Sequence, residues 1–221
     1  ANATDAANKP KIANATDAAN KTAAANATVI ANATETANAG EKRPYMCGVA
    51  LNDTDQTNIL QREYAQWKKT YVMSVSGVGL CVVRPGQVSD VSGDAAFPGD
   101  CVSEGIGYGM LIAAYLGDRE TLDGLWSYSQ RNLDANGVMN WQIWPNHPDP
   151  TVGSGAATDA DEDIAMALLV AAERWGGNYG ALARQQVDKV FEKEIDHATS
   201  EVRPGDKWGS CRTVDPSYFA P

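Results

Sequence analysis

The chain has 221 residues and a formal net charge of -10. That balance, with no basic stripe anywhere, excludes a nucleic-acid binder, and no apolar run approaches the roughly 18 residues a membrane span requires. The length suits one ordinary domain, or a domain plus an appendage. The chain opens on Ala1 without an initiating Met or a signal peptide, as a processed mature form does. Asn-x-Thr sequons stand at Asn2, Asn14, Asn20, Asn26, Asn32 and Asn52. Cys47, Cys81, Cys101 and Cys211 are disulfide candidates, allowing two bridges in three pairings, and none has metal-ligand spacing. Sequons and an even cysteine count together point to a secreted, extracellular glycoprotein.

Residues 1–40 are unlike the rest. Ala-Asn recurs every six residues, residues 1–8 and 13–20 are identical, and the segment has no aromatic residue. So little apolar surface cannot build a core. The reading is a glycosylated linker or stalk. A strict hexad that presents one Asn per repeat also offers a ladder for self-assembly.

Residues 41–221 read as the globular part. Thr54 or Asp55 can cap a first helix carrying Leu60, Tyr64, Trp67 and Tyr71 on one face. Val75 to Pro98, rich in Gly, Val and Ser, reads as loops or short strands. A second helix starts near Ser103, its predicted N-cap, with Glu104 in the first turn. Gly105, Gly107 and Gly109 within it are costly for a helix and mark a close approach by a ligand or another backbone. Asp118 is placed to cap a third helix bearing Leu122, Leu125, Trp126 and Leu133. Asn136 to Trp144 reads as a turn and a short extended run, and Pro145 to Gly155 as loop. Trp141 and Trp144 suit either the core or the face of a sugar ring.

The most informative stretch follows. Asp159, Asp161 and Asp163 lie within five positions at the start of an apolar helix. Asp159 is the predicted N-cap, with Glu162 in the capping-box position. Ile164, Ala165, Leu168, Leu169, Ala172 and Trp175 form the predicted buried face. A carboxylate there is held by backbone N–H groups and favoured by the helix dipole, so it should stay ionised and fixed in direction. The Asp-x-Asp-x-Asp pattern is not a calcium loop, because Ile164 and Val170 occupy the positions that need Gly and Glu. A last helix spans roughly Tyr179 to Ile195, with Leu182, Val187, Val190 and Phe191 inward.

Successive helices with carboxylates at the starts of the most apolar ones suggest an all-α barrel whose inner helices aim at one cleft. Paired carboxyl groups beside tryptophans suit glycoside hydrolysis. One acid protonates the leaving oxygen while a carboxylate about 6.5–9.5 Å away activates water in inverting enzymes. Neither a metal nor an organic cofactor is needed for that chemistry.

Four ordered stretches, Ser103-Glu-Gly-Ile-Gly-Tyr-Gly-Met110, Met139-Asn-Trp141, Ala157-Thr-Asp-Ala-Asp-Glu-Asp-Ile-Ala165 and Pro216-Ser-Tyr-Phe219, resemble glycoside hydrolase family 8. The resemblance implies an (α/α)6 barrel and inverting cleavage of internal β-1,4 bonds in cellulose-like glucan. It also implies that Glu104 is the proton donor, that Asp159 holds the sugar at the cleavage point, and that Trp141 stacks on glucose. Asp161, Tyr108 and Tyr218 are further substrate-binding candidates by the same resemblance. The family's base is an Asp well beyond the Pro-Ser-Tyr-Phe motif. The chain therefore looks like the N-terminal half of a catalytic domain, one not expected to perform inverting hydrolysis unaided. The alternative is a filament-forming structural glycoprotein that reuses this half-domain and assembles through residues 1–40.

Overall fold

A computed structural model describes residues 53–84, 99–145, 147–208 and 215–218. The hexad tail, the six sequon asparagines (Asn2, Asn14, Asn20, Asn26, Asn32, Asn52), Cys47 and Cys211 lie outside the described residues. Five α-helices dominate those residues: α1 (Asp53–Tyr71), α2 (Ser103–Leu116), α3 (Arg119–Arg131), α4 (Thr158–Trp175) and α5 (Tyr179–Glu194). Short strands join them. A hairpin of β1 (Val72–Val75) and β2 (Gly79–Val82) precedes a small antiparallel sheet. That sheet is made of β3 (Cys101–Val102), β4 (Gln142–Ile143) and β5 (Thr151–Gly153). The pair β6 (Ile195–Asp196) and β7 (Glu201–Val202) follows α5. Strand β5 falls inside the stretch predicted as loop, because the segment after Trp144 folds back onto β4.

The core lies where α2, α3, α4 and the hairpin meet. It contains Ile106, Met110, Leu122, Leu125, Tyr128, Ile164 and Leu168, all essentially inaccessible. The α2 glycines explain how closely the elements pack. A Cβ on Gly107 would stand 2.9 Å from the Asp163 Cβ and 3.0 Å from the Ala160 carbonyl, so α2 and α4 touch there almost backbone to backbone. A Cβ on Gly109 would meet Leu125 and Val82, each at 2.9 Å. The close approach anticipated at these glycines is therefore packing between elements of the fold.

Caps are set locally, and those of α1, α2 and α4 differ from expectation. Asp118 caps α3 by accepting the Thr121 N–H at 3.0 Å. It also accepts bonds from Tyr64 (2.9 Å) and Lys68 (2.7 Å), which ties α1 to the start of α3. By contrast, Val102 and Ala157 occupy the cap positions of α2 and α4, without side-chain caps. Ser103 is the first residue of α2 and Asp159 the second of α4, so the capping box expected between Asp159 and Glu162 is not the starting device of α4. Thr54 and Asp55 likewise lie inside α1 rather than ahead of it.

Cys81 and Cys101 form a disulfide with Cα atoms 6.1 Å apart, joining β2 to the strand that feeds α2. The predicted inward faces of α4 and α5 are too wide. Leu169 (49%), Val187 (44%) and Phe191 (60%) are exposed. The first two line an open apolar groove of about 500 Å³ with Leu111, Tyr115, Met166 and Val190. A helical period identifies a face, but the neighbours that pack against it decide how much of the face is covered. Among the described residues no helix is long and apolar enough to cross a membrane.

Candidate active site

Two helix starts and one strand build the site. The backbone of Trp141, just ahead of β4, links them: its carbonyl accepts the Ser103 N–H at 2.9 Å, and its N–H donates to the Gly155 carbonyl at 2.7 Å. The start of α2 and the segment leading into α4 are thereby bonded to the same residue. Asn140 reinforces the link, its Oδ1 accepting the Gly155 N–H at 3.1 Å and its Nδ2 donating to the Asn132 carbonyl at 3.1 Å. The half-exposed Trp141 indole lies against the Cα of Gly153, where any Cβ would collide with the ring. Glycine there lets the backbone pass directly against the indole.

Glu104 and Asp159 are each the second residue of their helix. One turn further along, Gly107 abuts Ala160 and Asp163, and near the helix ends Arg174 Nη1 donates to the Tyr115 carbonyl at 3.2 Å, so α2 and α4 run side by side in the same direction. Both carboxyl groups are partly buried, and Glu104 feels the charge of Asp159. Burial is the largest influence on Glu104 and pushes its proton affinity up, and the Asp159 charge adds to the rise. Ser103, whose Oγ donates to Glu104 Oε2 at 3.2 Å, and nearby Arg84 pull the other way without cancelling it. Asp159 is also raised, again mainly by burial. The bond its Oδ1 accepts from the Ala160 N–H at 2.9 Å opposes the rise, and the nearby Asp215 charge favours it. The expectation that the helix start would hold Asp159 firmly ionised is thus offset here. Desolvation outweighs the N–H groups.

The other anticipated residues divide by helix geometry. Tyr108, 54% exposed, stands where it feels the charges of Asp159, Asp163 and Glu104, and its hydroxyl is raised chiefly by burial. Tyr218, on the 3-10 turn Pro216–Tyr218, is raised by burial and then by the charges of Asp159 and Glu104. Its ring meets Trp208 edge-on at 6.3 Å. The structure therefore brings Glu104, Asp159, Tyr108 and Tyr218 within reach of one another's charges, with the Trp141 backbone bonded to Ser103 beside Glu104. Asp161 is elsewhere. At about 100° per residue it points some 200° away from Asp159, and it is 1% exposed, with its Oδ1 bonded to Gln186 Nε2 at 2.5 Å.

Three residues at the site escaped the sequence reading. Asp163 shares the Asp159 face because it lies four positions on, and the spacing alone could have found it. Asp215 sits beside the Pro-Ser-Tyr motif, its carboxyl held low by bonds from Ser217. Arg84 reaches the site only through the fold. It forms a two-pronged bond to the fully buried Asp100 at 2.9 and 2.5 Å, while Gln142 bonds the same carboxylate at 2.7 Å.

The family model for glycosyl hydrolases family 8 matches residues 39–221. The chain belongs to that family. It is 37% identical over 182 residues to Endoglucanase 2 of Ruminiclostridium josui, which covers 80% of this chain and 38% of that protein. It is 36% identical over 187 residues to Endoglucanase A of Acetivibrio thermocellus, covering 81% of this chain and 38% of the relative. The chain thus spans well under half the length of these relatives. Among solved structures it matches a β-1,3-1,4-glucanase from Paenibacillus sp. X4 with a TM-score of 0.61 at 25% identity, over 76% of this chain and 43% of the other. A family 8 endoglucanase from Klebsiella pneumoniae matches with a TM-score of 0.58 at 25% identity, over 72% and 49%. The described residues form the all-α, partial (α/α)6-barrel fold of family 8. Among them no group of three His, Cys, Asp or Glu could hold a metal ion.

Proposed function

We propose that this chain is the N-terminal part of the catalytic domain of a secreted glycoside hydrolase that cleaves internal β-1,4-glucosidic bonds of a cellulose-like glucan with inversion. Glu104 donates the proton to the leaving oxygen, Asp159 holds the sugar at the cleavage point, and Trp141 carries a glucose ring on its indole. Tyr108 and Tyr218 border the groove, and the base that activates water lies outside residues 1–221.

The observation that carries the reading is the pair of partly buried carboxyl groups at the starts of parallel helices α2 and α4, with the Trp141 backbone bonded to the start of α2 and to the segment leading into α4. A general acid must hold its proton at working pH, and burial of Glu104 acts in that direction. The endoglucanase and glucanase relatives agree with a β-glucan substrate. The Cys81–Cys101 disulfide suits an oxidising compartment.

The test is Glu104→Gln in the full-length protein, assayed on carboxymethylcellulose. The expected result is a fall in kcat of about 10²–10⁴-fold, the usual contribution of a positioned acid, with oligosaccharide affinity retained. Hydrolysis at the parent rate by the variant would refute the assignment. Retention or inversion is read directly from the anomer released.

A further inference from the structure

Glu194, the last residue of α5, is completely buried. Its carboxyl group lies against that of Asp161, itself 1% exposed. Asp161 Oδ1 accepts Gln186 Nε2 at 2.5 Å, whereas no other side chain or backbone donor among the described residues reaches the Glu194 oxygens. Neither carboxyl takes part in an ion pair among the described residues.

The charges around the pair do not neutralise it. Glu162 of α4 and Asp206 of the 203–208 segment add negative charge. Lys189 of α5 attracts Asp161 from a distance, but its ammonium is bonded to the Gly137 carbonyl. Arg203 turns to Asp196 at 3.1 Å, and Lys207 to Asp134 at 2.6 Å. Two facing carboxylates do not both stay ionised in such a place, since both are buried and no cationic side chain among the described residues pairs with either.

The surroundings of this pair are the supports of the α4 start. Thr158 Oγ1 donates to the Arg203 carbonyl at 2.7 Å, and the Thr158 N–H to the Pro204 carbonyl at 3.3 Å. The Ala156 N–H donates to Asp206 Oδ1 at 2.8 Å, and the Arg203 N–H donates to the Glu194 carbonyl at 2.8 Å. Asp161 adds the tie from the first turns of α4 to the end of α5.

We propose that Asp161 and Glu194 are positioning residues that share one proton, and that this shared proton pins the first turns of α4, keeping Asp159 beside Glu104. The proton sits on Glu194 and is donated to the Asp161 carboxylate, which also accepts the Gln186 amide. When hydroxide removes it to solvent, two buried negative charges face each other and the α4 start loosens. The positioning half of the inference rests on the role proposed for Asp159; the proton sharing does not.

The direction with pH follows from linkage. Burial, and then the Asp161 charge, raise the Glu194 proton affinity in the folded protein far above the ordinary 4.5. Across that interval the native state holds a proton that the unfolded chain has released. Its stabilising effect is full below about pH 4.5 and is lost as pH rises, at about tenfold in the folding constant per pH unit. Glu194→Gln keeps an N–H donor toward Asp161 without a titrating proton, and Asp161→Asn removes the opposing charge. Glu194→Gln should flatten that slope by one proton relative to the parent, whereas Asp161→Asn, which leaves Glu194 buried, should keep the slope but end it at a lower pH, measured by denaturant unfolding of the full-length protein between about pH 5 and 9.

A slope equal to that of the parent in Glu194→Gln would overturn the proposal. The parent protein supplies an independent measure. A protonated-carboxyl infrared band should persist at about pH 8, well above any ordinary carboxyl, and its absence would refute proton sharing even if the variants failed to fold. For positioning, Glu194→Ala should lower kcat on carboxymethylcellulose at least about tenfold with KM changed far less, and Glu194→Gln should restore it. A flattened slope in Glu194→Gln with kcat unchanged in Glu194→Ala would remove the link to Asp159 while leaving the proton-sharing pair in place.

Discussion

Gly105 and Gly107 of α2 are two residues apart, and the structure requires opposite responses to the same substitution. Replacing a helical glycine by alanine gains about 1 kcal/mol of backbone propensity. At Gly105 the new Cβ would stand 3.5 Å from the Val82 Cβ and carbonyl, ordinary contact, so the whole gain should be kept. At Gly107 it would stand 2.9 Å from the Asp163 Cβ and 3.0 Å from the Ala160 carbonyl, on a neighbouring helix that cannot rotate a side-chain end out of the way. Overpacking of this kind costs about 1–3 kcal/mol. Gly107→Ala should therefore be neutral to destabilising by about 2 kcal/mol, against a gain of about 1 kcal/mol for Gly105→Ala. Thermal unfolding of the two variants side by side reads the contrast, at about 2–4 °C per kcal/mol for a domain of this size. Equal stabilisation by both would refute the near-contact of α2 and α4. Because that contact spaces Glu104 from Asp159, Gly107→Ala should also lower kcat, while Gly105→Ala leaves it near the parent value.

The remaining expectations follow from the same contacts. Asp159→Asn removes a charge that helps keep Glu104 protonated, so the alkaline limb of the kcat/KM profile should move to lower pH; an upward move would refute the electrostatic link. Replacing both Cys81 and Cys101 by alanine opens a bridge 20 residues apart in sequence and should cost about 3 kcal/mol in denaturant titration. Burial alone would raise the Asp118 carboxyl, yet bonds from Lys68, Thr121 and Tyr64 bring it down to about 2. Its stabilising effect is present above the ordinary 3.8 and lost as pH falls toward 2. Asp118→Ala should cost about 1 kcal/mol at neutral pH, and the difference from the parent should vanish in acid.

Much of the candidate site was legible before any coordinates. Glu104 and Asp159 stand in first turns whose helical period is strong, and Asp118 caps through a bond three residues long. Such signals are local, since they depend on neighbours along the chain. The same locality misled at Asp161. An acidic run at a helix start looks uniform in one dimension, but rotation by about 100° per residue sends Asp159 and Asp163 to one side and Asp161 to the other. The run therefore faces two ways, toward Glu104 and Tyr108 on one side and toward the buried Glu194 on the other.

Residue order thus determined the helices, the two carboxyl positions and the family, because periodicity, capping and motif spacing are written along the chain. Only the tertiary structure decided that Cys81 pairs with Cys101, that Arg84 and Asp215 reach the site, and that Leu169, Val187 and Phe191 stay exposed. It also turned Glu194, an ordinary charged residue at a helix end, into a buried partner for Asp161. Burial and charge proximity depend on residues far apart in sequence, so they exist only once α2, α4 and α5 have packed.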